Sequence, residues 1–310
     1  MGCPRPPDEI CGQNMSSRTR AARPNVRVLA SPLRYPGGKG SLYSRLRGLL
    51  RSSDLAGCTY VEPYAGGAGA GLALLVTGQV ERVVINDLDP AIAAFWKLLK
   101  SRPDDLIEKI NSVRLSIPEW KRQKEIYRAC NAKNSAALGF ATFYLNRTNR
   151  SGVLNGGPIG GLEQTGNYKI DARFNRAQLA ERVRVLGLYA DQISVCASDG
   201  VTVIKKFGKA RNTFLYADPP YFEKAGSLYL NAFDDQNHRV LAETLNAHAR
   251  GSWLLTYDNV PQVHALYPKR RRRTFELHYS AHRVMKATEI AVLSDEIADV
   301  GDDWAVDVGG

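Results

Sequence analysis

The stretch "TFLYADPPYF" (residues 213–222) is an apolar run that ends on a carboxylate and two prolines. Residues 213–217 have the make-up of a buried strand. Pro219 and Pro220 offer no backbone N–H donors, so the sheet ladder must stop there. The strand therefore carries Asp218 and Tyr221 to its C-terminal end, which is where open α/β sheets bind ligands. Asp218 is then either a turn residue or a placed chemical group, and the rest of the chain has to decide between the two.

Outward from this stretch, strands and helices alternate. "CTYVEPYAGG" reads as a strand and a Gly-rich turn, and "AGLALLVTG" as a helix closed by Gly78. "ERVVINDLD" reads as a second strand and "PAIAAFWKLLK" as a helix opened by Pro90. Residues 101–190 show no clear strand. They contain three helical segments, "PDDLIEKINSV", "PEWKRQKEIYRACN" and "SAALGFATFYLNRTN", and then the loop "RSGVLNGGPIGGLEQTGNYK". Strands return at "QISVC", "NTFLYAD", "SWLLTYD", "RRTFELHY" and "TEIAVLS". The alternation argues for an α/β fold, a mainly parallel sheet with a helical block inserted. The expected division is a leader over 1–27, a sheet domain over 28–100 and 190–295, a helical insert over 101–189 and an acidic tail over 296–310.

The chain has 310 residues, enough for a sizeable core. No stretch approaches the roughly 20 apolar residues of a membrane span, and the first residues lack the apolar core of a signal peptide. A cytoplasmic protein without a membrane partner is the expectation. Its five cysteines show neither CxxC spacing nor a Cys/His cluster, so reduced thiols and no metal are expected. The formal charge of +11, from 42 basic against 31 acidic residues, suits a polyanionic partner.

Several groups carry chemistry. In "VEPYAGGAGAGLALL" (61–75) the glycines allow a ligand to approach the backbone ahead of a helix N-terminus. The dinucleotide fingerprint is broken, because Leu72 stands where its last glycine belongs. Asp87 follows Gly67 at the distance where an acid accepts from a ribose diol. A carboxylate serving the helix that starts at Pro90 is the alternative. "LRYPGGKG" (33–40) brings Lys39 behind two glycines without the spacing of a phosphate loop.

Taken in order, "RYPGGK", "EPYAGGAG", "IND" and "DPPY" resemble the Dam-like DNA N6-adenine methyltransferases. "FYLNRTNRSG" (143–152) resembles the start of that family's DNA-contacting loop. The likeness covers about residues 31–295. It implies a Rossmann-like, S-adenosylmethionine-dependent catalytic sheet with helices on both faces, and a mainly helical target-recognition insert. It puts Tyr35 and Lys39 at the cofactor, Lys39 near its methionine carboxylate. Glu62, Ala65, Gly66, Gly67 and Gly69 would wrap the methionine part, and Asp87 would hold the ribose. Asp199 matches the cofactor-adenine contact, whereas Gly200 stands where the family often has Phe.

The same resemblance gives Asp218 its purpose. The amino nitrogen of adenine is a poor nucleophile, because its lone pair is conjugated into the ring. An acceptor for an amino hydrogen helps localise that pair. Asp218 and the carbonyl of Pro219 can act so, Pro220 stiffens the backbone, and Tyr221 offers a ring to a base flipped from the duplex. Asp218 also borders the cofactor. Arg147, Asn149, Arg150 and Ser151 are the expected contacts to double-stranded DNA. Cytosine-N4 enzymes usually have Ser before Pro-Pro and protein-glutamine enzymes Asn, so Asp218 speaks against both. An inactive DNA-binding module is the alternative from another class. A monomer, nucleoid association and a cognate restriction endonuclease complete the expectations.

Overall fold

The computed structural model describes residues 31–34, 39–130, 135–222, 233–248, 251–279 and 285–298. Tyr35, the expected leader over 1–27 and residues 299–310 of the expected tail lie outside these residues. The start of that tail packs on the fold, with Ile297 buried and Ala298 N–H donating to Ser53 Oγ at 3.0 Å.

The strands are β1 (Thr59–Glu62), β2 (Arg82–Asn86), β3 (Ile193–Cys196), β4 (Thr213–Ala217), β5 (Ser252–Asp258), β6 (Arg271–Tyr279) and β7 (Met285–Leu293). They form one sheet in the order β3-β2-β1-β4-β5-β7-β6. β1 pairs in parallel with β2 and β4, β2 with β3, and β4 with β5. β7 runs antiparallel between β5 and β6. Every residue of β4 is buried, as a central parallel strand covered on both faces requires.

The helices are α1 (Tyr43–Ser52), α2 (Gly69–Val76), α3 (Pro90–Ser101), α4 (Pro103–Ser112), α5 (Ile117–Ala129), α6 (Ser135–Thr148), α7 (Arg176–Gly187), α8 (Gly200–Phe207), α9 (Asp235–Ala247) and α10 (Pro261–Leu266). Local chemistry starts them. Asp89 accepts from Ala91 N ahead of Pro90, Ser116 caps α5, Asn175 caps α7 and Asp234 caps α9.

Strand periodicity divides the apolar residues between two cores. Phe214 and Tyr216 face one core, with Leu46, Phe95, Phe143 and Val183. Leu215 and Ala217 face the other, with Ile204, Leu241 and Val263. The helices of the 101–189 block thus share the first core with α1, α2 and α3. α6 is buried from Leu138 to Thr148 and forms the centre of that layer. Three segments foreseen as helices in this block became α4, α5 and α6, while α1 and α7 were not foreseen.

Candidate active site and nucleic-acid interface

Sheet order puts the functional residues on one edge. The C-terminal ends of β1, β2, β3 and β4 carry Glu62, Asp87, Asp199 and Asp218 respectively. The order reverses between β1 and β4, the point where such sheets open a crevice.

The loop after β1 is held from below. Ala68 adopts left-handed backbone, φ 47°, just before α2. Trp96 donates Nε1–H to the Gly66 carbonyl at 2.9 Å, and Ala65 N–H bonds to the Asn86 carbonyl at 2.8 Å. The Gly66 N–H donates to Asp87 Oδ2 at 2.9 Å, and Asp89 N–H to Asp87 Oδ1 at 2.9 Å. Gly66 and Asp87, far apart in the chain, are therefore neighbours. Ala65, Gly66 and Gly67 are buried and Gly69 half-buried. The turn Lys39–Leu42 packs on the start of α2: the Gly40 N stands 3.6 Å from where a Cβ on Gly69 would lie.

Two acids here are unusual. Burial pushes the Glu62 carboxyl up to about 8, against the Gly71 N–H that donates to Oε1 at 3.1 Å. Burial likewise pushes Asp87 up to about 6, against the two backbone donors it accepts. Both shifts follow from removing a carboxylate from water, with no cation beside it among the described residues.

Asp218 is half-exposed on the end of β4, with Pro219 buried beneath it. Its Oδ1 accepts from Thr256 Oγ1 at 2.8 Å and from the Tyr221 hydroxyl at 3.0 Å. Thr256 lies on β5 and shares a hydrogen bond of 2.9 Å with the Tyr216 hydroxyl. The carboxylate is thus oriented by Thr256 of β5, itself bonded to Tyr216 of β4, and by Tyr221 of its own turn. Tyr221 is only 7% exposed, so its ring is mostly inside and its hydroxyl is what it contributes here. Phe222 stacks on His238 at 3.6 Å between centroids, and His238 Nδ1 is 2.7 Å from the Tyr257 hydroxyl. That stack closes the floor.

Asp199 caps α8 by accepting from Thr202 N at 3.2 Å and is exposed. The glycine after it has a steric reason. A Cβ on Gly200 would fall 2.3 Å from the Tyr64 ring, which fills the space a side chain at 200 would need.

The second region lies beyond α6. Arg147 is 8% exposed and Asn149 0%, while Arg150 and Ser151 are exposed. Ser151 holds a left-handed φ of 53°. The Asn149 amide is spent on its own loop: it donates to the Val153 and Leu154 carbonyls at 2.8 and 3.0 Å and accepts from Trp120 Nε1 at 2.7 Å. Lys124, buried on α5, donates to the Leu154 carbonyl at 2.7 Å. Arg122, beside it, pairs with Glu119 at 2.7 Å. The loop is thereby preformed, with Tyr168 presented at 70% exposure. The arginine run at 270–273 has structural duties instead. Arg270 pairs with Asp295 at 2.7 Å, Arg271 donates to the Ser294 carbonyl at 2.9 Å and Arg272 to that of His264 at 3.1 Å.

Reading motifs alone gave no role to Asn86 within "IND", and missed Thr256 and Tyr64. Asn86, wholly buried, donates to the carbonyls of Pro63 and Ser198 at 2.8 and 2.9 Å and accepts from Ser198 N at 3.0 Å. It ties the loops after β1 and β3 together. Its signal was available, as the residue before Asp87. Thr256 had none, since its partner is on another strand. Among the described residues no group of His, Cys, Asp or Glu is arranged to hold a metal ion, and no helix is long and apolar enough to cross a membrane.

A Rossmann-like sheet with an oriented Asp-Pro-Pro-Tyr at its crevice defines a class of group-transfer fold. Residues 35–285 match the family described as D12 class N6 adenine-specific DNA methyltransferase, and the chain belongs to that family. It is 26% identical over 202 residues to the type II methyltransferase M.MjaIII of Methanocaldococcus jannaschii, covering 61% of this chain and 68% of that protein. It is 30% identical over 201 residues to a DNA adenine methylase of Vibrio cholerae, covering 61% of this chain and 64% of that one. To the modification methylase StsI of Streptococcus sanguinis it is 23% identical over 247 residues, 72% of this chain and 34% of that protein.

Proposed function

We propose that this chain transfers a methyl group from S-adenosylmethionine to the N6 amino group of adenine in double-stranded DNA, at a specific site, with the base turned out of the duplex. The observation that carries this reading is the Asp218 carboxylate, held by Thr256 and Tyr221 at the mouth of the crevice. Fixed acceptors of this kind suit an amino hydrogen and cost no reorganisation when the reaction occurs. Asp218 and the Pro219 carbonyl accept from the amino group, which helps localise the nitrogen lone pair, and Pro220 keeps the turn rigid. The burial of Tyr221 favours an orienting role for it over stacking on the base.

The crevice fits the cofactor on its own terms. Asp87 is a half-buried carboxyl at a strand end, suited to a ribose diol. The Glu62–Gly69 loop and the start of α2 suit the methionine part, with Lys39 on the adjoining turn. S-adenosylmethionine, when bound, supplies an electrophilic methyl group. Asp199 caps the helix at the adenine end, and Tyr64 supplies there the aromatic surface that Gly200 lacks. Arg147, Arg150 and Ser151 contact DNA, and Asn149 shapes the loop that does so. Tyr168, exposed on that loop, is suited to stacking against a displaced base. The enzyme works as a monomer in the cytoplasm on the nucleoid. The likeness to a modification methylase supports a companion restriction endonuclease.

The test is incorporation of labelled methyl from S-adenosylmethionine into mixed genomic DNA, followed by nucleoside analysis. N6-methyladenine is expected, and Asp218→Ala should abolish it while duplex binding persists. N4-methylcytosine as the product would overturn the reading of Asp218. Equal loss of transfer and binding in the variant would make Asp218 structural.

A further inference from the structure

Arg147 ends α6 in an unusual state. It is 8% exposed, and its Nε is buried without a hydrogen-bond partner among the described residues. Its electrostatic neighbours are Arg182, Arg34 and Arg173, all cations. Burial first, and then these three, pull the Arg147 guanidinium down to about 9. Arg182, on α7, likewise has a buried Nε without a partner, while one of its amino groups donates to the Ser31 carbonyl at 3.4 Å. Arg34 donates to the Asn149 carbonyl at 3.3 Å, and its own N–H and C=O are clamped by the Asn146 amide at 2.7 Å each. Among the described residues, no carboxylate contributes to the environment of Arg147, Arg34 or Arg182.

Arg147 is buried, Arg34 and Arg182 are half-buried and Arg173 is exposed, so the cluster runs from the interior to the surface. Like charges so placed repel, and a buried cation without a counter-ion destabilises the fold. Folding gains nothing from such a cluster, so a ligand must supply the missing charge. Guanidinium forks match the paired oxygens of a phosphate. The cluster abuts the loop that starts at Asn149, through Arg34, and exposed Arg150 follows directly. We propose that Arg34, Arg147, Arg173 and Arg182 form one anion pocket that takes a single phosphodiester group of the substrate DNA. This rests on the reading of the chain as a DNA methyltransferase, and adds that the contact fixes register on the duplex independently of sequence.

The pocket makes an unusual demand on the variant Arg147→Met. Without DNA it should melt at a higher temperature than the wild type, since a buried uncompensated charge is gone. Its duplex affinity should fall about tenfold or more, for cognate and unrelated DNA alike. The slope of log affinity against log salt should shrink by about 0.9, the value for one phosphate. Arg182→Met should lose the same slope. The double variant should lose no more than either single one, because one phosphate is shared. Affinity for S-adenosylmethionine should stay at the wild-type value.

A lowered melting temperature with an unchanged salt slope would make Arg147 a structural residue and overturn the proposal. Slope losses that add in the double variant would mean separate contacts and overturn it as well. Loss of cofactor affinity instead would assign the pocket to the methionine carboxylate. A wild type that binds no duplex at any salt sinks the methyltransferase reading and this proposal with it. A wild type that binds while both variants keep its slope sinks this proposal alone.

Discussion

Glu62 should make the cofactor-free protein lose stability as pH rises, and Glu62→Gln should remove that loss. Its carboxyl sits at about 8 in the fold against an ordinary value of 4.5, because it is buried at 4% exposure. The native state holds the proton more tightly than the unfolded chain does. Stability from this group is therefore full below the unfolded value and falls as pH rises through the window from 4.5 to about 8. Integrated from about pH 5 to about pH 8, the loss is about 3.5 kcal/mol. At about 2 °C per kcal/mol for a chain of this size, that is about 7 °C in melting temperature. Glutamine keeps the shape and an oxygen for the Gly71 N–H, and has no proton to lose. Asp87, raised to about 6, titrates with the same sign in both proteins, so the difference between them isolates Glu62. Calorimetric melting of wild type and Glu62→Gln at the two pH values gives that difference directly. A gap that stays constant within about 1 °C would refute the argument, and would mean that water or a cation compensates Glu62 in solution.

Thr256→Val removes one of the two side-chain donors on Asp218 Oδ1 among the described residues. Hydrogen bonds to charged groups contribute about 1.5–3 kcal/mol, so kcat should fall about tenfold or more with KM for DNA little changed, and Thr256→Ser should recover most of it. A rise in KM with kcat intact would contradict the orienting role. Gly200→Ala brings a Cβ to 2.3 Å from the Tyr64 ring and should cost about 1–3 kcal/mol in denaturant unfolding. Adding Tyr64→Ala should recover that loss; a double variant no more stable than Gly200→Ala would show that the strain lies elsewhere.

Much of the sheet was legible because each strand wears its environment. "TFLYA" is uniformly apolar since both its faces are covered, and its prolines announce its end. Helices opened by a proline, such as α3, α4 and α5, were equally plain. α1 and α7 escaped although both carry the period: Leu46, Leu49 and Leu50 in one, Leu179, Val183 and Leu186 in the other. Between these residues stand arginines, and arginine density reads as solvent until its apolar stems are considered. The merging of the helical block into the sheet's core was hidden for another reason. A stretch without strands looks like a separate unit, and only the packing of α6 under α3 reveals one layer. Cross-strand partners were hidden altogether. Thr256 reaches Asp218 because β4 and β5 pair Tyr216 with Leu254 and Ala217 with Leu255, a register that no local pattern records.

Two residues of the proposed site are also residues that trouble the fold. Among the described residues, Glu62 is buried with no cation to balance it and Arg147 with no anion. Each would be better replaced if stability alone were selected, since an apolar or neutral group of the same size would fill the space at lower cost. Sequences agree with their folds across local and global levels except where function intervenes. On that principle the two orphans point to opposite complements, a cationic or proton-bearing group near Glu62 and an anion at Arg147. The methyl donor and the DNA substrate proposed above would meet both requirements. The Asp218 carboxylate, on the same sheet edge as Glu62, differs: Thr256 and Tyr221 donate to it, which suits the proposed task of accepting from a neutral amine.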